Sequence, residues 1–145
     1  MKLKHLTIPA LALTLMGACT DDGVTGVEPD DLAGTWTATA IVFSSVADPN
    51  TSVDVVPEGA ALTLVLSADG TYSFVSVFPG EPDEDETGTY TVSGDVMTIT
   101  PTGLDSETFA VSRDGDTMTL TDSDTFDFVD GVEEDALLVI TLVRL

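Results

Sequence analysis

From Gly34 onward, apolar and polar positions along the chain alternate with a period of two, not 3.6. Val, Ile, Thr, Tyr and Phe dominate these runs, and Gly-Asp pairs recur between them. Both features mark half-buried strands joined by tight turns. The pattern predicts an all-β domain with strands over Gly34–Phe43, Ala60–Ser67, Thr71–Phe78, Gly88–Val92, Val96–Pro101, Thr108–Arg113, Thr117–Asp122 and Ala136–Leu145, about eight in number. The turns Ala68-Asp69-Gly70, Ser93-Gly94-Asp95 and Asp114-Gly115-Asp116 are short, so the strands they join are antiparallel neighbours. Helical spacing is absent apart from a short turn near Pro29 to Leu32, where Asp30 is placed to cap it.

An internal repeat supports a meander. Thr89-Tyr90-Thr91-Val92-Ser93-Gly94-Asp95-Val96-Met97-Thr98-Ile99-Thr100 matches Thr108-Phe109-Ala110-Val111-Ser112 followed by Asp114-Gly115-Asp116-Thr117-Met118-Thr119-Leu120-Thr121. Two like hairpins in tandem favour up-and-down connections. Eight such strands can close into a small antiparallel barrel, which removes both sheet edges and leaves an interior for side chains or one small ligand. A β-sandwich is the alternative. A transmembrane barrel is disfavoured, because several of the expected strands fall short of the ~9–11 residues needed to cross. The sequence also has one Trp and two Tyr, too few for two aromatic girdles. Trp36, Ala38, Ala40 and Val42 are expected on one strand face, with Leu62, Leu64, Leu66, Tyr72, Phe74, Phe109 and Val111 from other strands. That face either fills a core or lines a cavity.

The first residues form a separate segment. Met1-Lys2-Leu3-Lys4-His5 is positively charged, and an apolar run from Leu6 to Met16 follows. At ~1.5 Å per helical residue this run cannot cross a ~30 Å hydrocarbon core, but it suits the apolar region of a secretory signal. It ends in Leu15-Met16-Gly17-Ala18-Cys19-Thr20, with the chain's single cysteine. This resembles the lipobox of bacterial lipoproteins, whose cysteine is lipidated and becomes the new N-terminus. The resemblance implies a signal peptide over residues 1–18, an acidic tether over 19–31 and a domain over 32–145. It also implies a membrane anchor at Cys19. Thr20 after the cysteine, by the same resemblance, points to the outer membrane of the cell envelope.

Charge and composition then narrow the chemistry. All 26 acidic residues lie after Cys19, where only Arg113 and Arg144 are basic. Two arginines cannot build the basic face that nucleic acid requires. After Cys19 there is also no His, Lys or second Cys. That removes Ser-His and Cys-His nucleophiles, Schiff-base chemistry and His/Cys metal sites. No cofactor and no catalytic residue is expected, and the chain reads as a non-enzyme. The acidic stretch Glu81-Pro82-Asp83-Glu84-Asp85-Glu86 reads as a solvated hairpin tip. A second cluster, Asp122, Asp124, Asp127, Asp130, Glu133, Glu134 and Asp135, offers at most weak divalent-cation binding, since Asp127 stands where a calcium loop wants Gly.

Leu32-Ala33-Gly34-Thr35-Trp36 resembles the Gly-x-Trp opening of lipocalins and lipocalin-like bacterial lipoproteins. Asp69-Gly70-Thr71-Tyr72 and Thr87-Gly88-Thr89-Tyr90 resemble the Gly-x-Tyr strands of that group. The resemblance implies an eight-stranded barrel holding a small apolar ligand, its Trp closing the base. The expected cavity lining is Trp36, Leu64, Tyr72, Phe74, Tyr90 and Phe109. The expected function is non-catalytic binding of a small apolar ligand or of another envelope component. A structural or interaction module without a pocket, as a packed barrel or a β-sandwich, is the alternative.

Overall fold

The fold is described from a computed structural model covering residues 29–129 and 132–145. A four-residue helix, α1 (Pro29–Leu32), leads into nine strands: β1 (Gly34–Ser45), β2 (Ser52–Asp54), β3 (Ala61–Leu66), β4 (Thr71–Val77), β5 (Glu84–Ser93), β6 (Val96–Pro101), β7 (Glu107–Asp114), β8 (Thr117–Val129) and β9 (Val132–Arg144). Asp30 lies inside the helix instead of ahead of it. Every sequential pair from β3 to β9 is antiparallel, β1 pairs with β3, and β1 also pairs with β9. That last pairing closes an eight-stranded up-and-down barrel and excludes a sandwich. β2 is a ninth strand added outside the barrel against β1, through Val42↔Asp54 to Ser44↔Ser52.

The repeated hairpins are built alike. β5 turns into β6 through Gly94-Asp95, and β7 into β8 through Gly115-Asp116, each Gly having positive φ. Both are two-residue loops with Gly first, which matches the right-handed twist of the flanking strands.

Three features depart from the sequence expectations. First, β1 carries a bulge. Ala38 pairs with Leu142 and Ala40 with Thr141, leaving Thr39 as the extra residue. One extra residue reverses side-chain parity. Trp36 therefore faces inward, but beyond the bulge Ile41, Phe43 and Ser45 are the buried positions and not Ala40 and Val42. Second, β5 begins at Glu84, so half of the expected hairpin tip is strand. Third, β8 and β9 run through the second acidic cluster as one long hairpin, thirteen residues each. The acids are tolerated because β7 pairs with β8 only as far as Thr121, so beyond it the edge of β8 meets water. Asp130 lies outside the described residues, as do Cys19 and the signal segment.

The barrel interior is apolar, the inverse of the polar lumen of a membrane-spanning barrel. Its closed end, hereafter the base, gathers the start of β1 and the β3–β4, β5–β6 and β7–β8 turns. Leu32, Trp36, Leu66, Met97, Met118 and Leu142 are fully buried there, each contributing roughly 1.5–3 kcal/mol. Trp36 Nε1 donates to Leu32 O at 2.8 Å, which ties α1 across the base. The Arg144 guanidinium lies 4.6 Å from the centre of the Trp36 ring and donates to Asp31 O. Arg113 pairs with Asp31 at 3.7 Å. Asp31 and Leu32 of α1 are thus held against the base.

Candidate functional site: a half-open barrel with an acidic rim

Above the base the side chains no longer fill the barrel. A cavity of about 330 Å³ remains, walled by Ile41, Phe43, Leu62, Leu64, Tyr72, Phe74, Ile99, Phe109, Leu138 and Ile140, among others. This lies near the lower end of the ~300–1,000 Å³ range of small-molecule sites. Of the six expected lining residues, Leu64, Tyr72, Phe74 and Phe109 reach it. Trp36 and Tyr90 do not line it. They belong to the packed base, where Tyr90 Oη donates to Ser67 O at 2.9 Å. Core and cavity are therefore both present, stacked along the barrel axis.

The sequence reading missed the polar part of the wall. Glu84 and Glu86 from β5, Glu107 from β7 and Asp124 from β8 all line the open end of the cavity. They occupy the inward face because alternation continues backward along β5 from Tyr90 through Gly88 to Glu86 and Glu84. It also runs forward along β8 from Leu120 to Asp124. Glu84, Glu107 and Asp124 are exposed, while Glu86 is half-buried. Ser76 on β4 lines the same cavity, is 1% exposed, and its Oγ has no hydrogen-bond partner. Ser76 pairs directly with Glu84 across the strands.

Tyr72 links the apolar and acidic parts. Its Oη donates to Glu86 Oε1 at 2.5 Å. Burial first, then this hydrogen bond and the charges of Glu86 and Glu107, raise the phenol well above its ordinary value. The ring lies over Gly88, its cross-strand partner, where any Cβ would stand 2.8 Å from Tyr72 Cε1. Glycine at 88 is thus what lets the tyrosine cross β5. Burial, then the charges of Asp30 and Asp69, also raise Tyr90.

Phe43 stacks on Phe126 at 4.4 Å between ring centroids, and Phe126 meets Phe128 edge-on at 4.9 Å. The projecting part of the β8–β9 hairpin thereby extends the apolar wall past the rim. Among the described residues, no three His, Cys, Asp or Glu side chains converge closely enough to hold a metal ion. The rim carboxylates come from β5, β7 and β8.

A closed antiparallel barrel with a packed base and a half-open apolar cavity leaves room for one small ligand. The chain belongs to the lipocalin-like domain family, whose model matches residues 32–130, from the end of α1 to the β8–β9 turn. Among curated proteins none matches the chain.

Proposed function

We propose that this chain is a non-catalytic envelope lipoprotein, anchored through Cys19, whose barrel binds a small apolar ligand. The observation that carries the reading is the 330 Å³ apolar cavity left above a fully packed base. A barrel that served only as a structural module would gain by filling that space, since unfilled volume destabilises by ~24 cal/mol per Å³. The composition supports the absence of catalysis, because no His, Lys or Cys follows Cys19. The anchor rests on the lipobox resemblance.

Native mass spectrometry of the full chain, extracted from the envelope of its own cells, tests the carrier reading. A discrete co-purifying mass is expected, and displacing it with an apolar competitor restores the bare mass. A chain that leaves the envelope bare and takes up no apolar molecule would instead be the packed interaction module. Cys19→Ser is expected to move the protein from the membrane fraction to the soluble one. Unchanged partitioning would refute the anchor.

A further inference from the structure

The rim chemistry narrows the ligand class, resting on the carrier reading above. We propose that the barrel is selective for a cationic amphiphile, with an aliphatic or aromatic body in the cavity and a protonated amine at the rim. The amine faces Glu84, Glu86, Glu107 and Asp124, with Ser76 Oγ as a neutral acceptor level with Glu84.

Two independent observations meet at this place. The first is that four carboxylate side chains from three strands border one apolar cavity, with no cation beside them. The only basic residues among those described, Arg113 and Arg144, are engaged at the opposite end with Asp31 and Trp36. The second is Ser76. Its side chain lines the cavity, and its hydroxyl is buried and lacks a partner, an arrangement that costs stability until the polar atom is paired. A ligand group that hydrogen-bonds inside the cavity removes that cost. A purely apolar ligand would leave Ser76 unpaired and the rim acids unused. An anionic head group would meet four carboxylates. A metal ion would need at least three converging ligands, and no such group occurs among the described residues. An alkylammonium needs no convergent ligand set: its three N–H donors can reach the nearest acceptors, the other carboxylates act on its charge over distance, and its tail buries in the barrel.

Size sets the probe. At ~30 Å³ per water-sized unit, 330 Å³ holds roughly eleven such units, so an eight-carbon chain with one head atom fits. Isothermal titration calorimetry is run near neutral pH on the full chain carrying Cys19→Ser, which keeps acyl chains out of the assay. It compares octylammonium, octanol and octanoate. Octylammonium is expected to bind at least tenfold more tightly than octanol, and octanoate at least tenfold more weakly. Glu84→Gln with Glu107→Gln, both at exposed positions, should shrink the ammonium advantage at least threefold and leave octanol unchanged. Asp95→Asn with Asp116→Asn at the base should change neither.

Equal affinity for octylammonium and octanol would overturn the charge selectivity while leaving the cavity in use. An ammonium preference that survives the rim substitutions, or falls equally with the base ones, would overturn the rim as its source. Failure of all three probes to bind would overturn the carrier reading itself.

Discussion

Gly88→Ala separates two explanations of why glycine stands in the middle of β5. Its φ is not in the left-handed region, so backbone conformation alone permits alanine there. On that basis alone, the substitution stabilises by about 0.4–1 kcal/mol through the unfolded chain. The packing says otherwise. A Cβ at this position would sit 2.2 Å from the Thr100 carbonyl oxygen, 2.8 Å from Tyr72 Cε1 and 2.9 Å from Pro101 Cα. Two of those three atoms are backbone of the paired strand β6, so relief requires β5 and β6 to part. Overpacking of this kind costs about 1–3 kcal/mol and occasionally more. With contacts this short the upper end applies, and the net loss is about 2 kcal/mol or more after the entropic gain. For a domain of this size that is a Tm drop of roughly 8 °C, at ~4 °C per kcal/mol. Gly94→Ala is the control. Gly94 has φ +65° and nothing within 4 Å of an added Cβ, so it costs only the left-handed strain of about 1–2 kcal/mol. Thermal unfolding followed by circular dichroism should rank Gly88→Ala below Gly94→Ala. A Gly88→Ala protein as stable as the parent would refute the account of how Tyr72 crosses β5.

Trp36→Phe removes the donor to Leu32 O and leaves that carbonyl buried without its partner, so denaturant unfolding should show a loss of about 1–3 kcal/mol. An unchanged midpoint would mean that α1 is not held by this bond. Tyr72 and Tyr90 are the only tyrosines in the sequence and both phenols are raised. Below the unfolded value near 10 both folded and unfolded chains keep their phenol protons, so the tyrosines add no pH dependence there. Above pH ~10 the unfolded chain loses those protons first, and stability falls as pH rises toward the folded values. Absorbance titration of the native protein should show no phenolate forming at the ordinary value. One phenol titrating there would refute the burial of its hydroxyl. Asp127 faces Glu133 directly across the β8–β9 ladder, and like charges so placed are destabilising. Raising sodium chloride from about 0.01 M to 1 M, which shortens the screening length from ~30 to ~3 Å, should raise Tm. An indifferent Tm would show that the acids do not strain the fold.

The barrel was legible because its rule is local. Thr and Val alternation, the two Gly-Asp hairpins and the Gly34-Thr35-Trp36 opening each specify strand or turn within a few residues. The bulge at Thr39 was not, since Thr-Ala-Thr-Ala carries no Gly or Pro to mark an extra residue, and its effect appears only in the register with β9. For the same reason Ala40 and Val42 were placed on the wrong face. The missed rim has a different cause. Glu84-Asp85-Glu86 is polar at every position, so alternation gives no signal inside the segment. The parity comes from Tyr90 and Gly88, counted backward in twos. Phe126 and Phe128 give the same signal in β8, where the surrounding Asp residues suggested a loop. Trp36 and Tyr90 were placed in the cavity because inward direction is readable from the sequence, whereas height along the barrel axis depends on strand stagger.

That height divides the work between the two ends. At the base, Arg144 over Trp36 and Arg113 beside Asp31 consume both cations among the described residues while helping to seal the barrel. The charged groups left at the mouth are all carboxylates, so discrimination by charge there does not require a tailored contact. A carboxylate about 4 Å from an anionic head group repels it by ~1 kcal/mol in water and ~4 kcal/mol at an effective dielectric of 20. Four of them around one opening disfavour fatty-acid-like ligands even where the cavity fits the tail. The discrimination is electrostatic, so it must weaken with salt. At 1 M sodium chloride the difference between octylammonium and octanoate should contract several-fold, while octanol, held by the apolar wall, loses nothing. A salt-independent difference would mean that the head groups are distinguished by short-range contacts, such as that at Ser76, and not by the charge of the acidic rim.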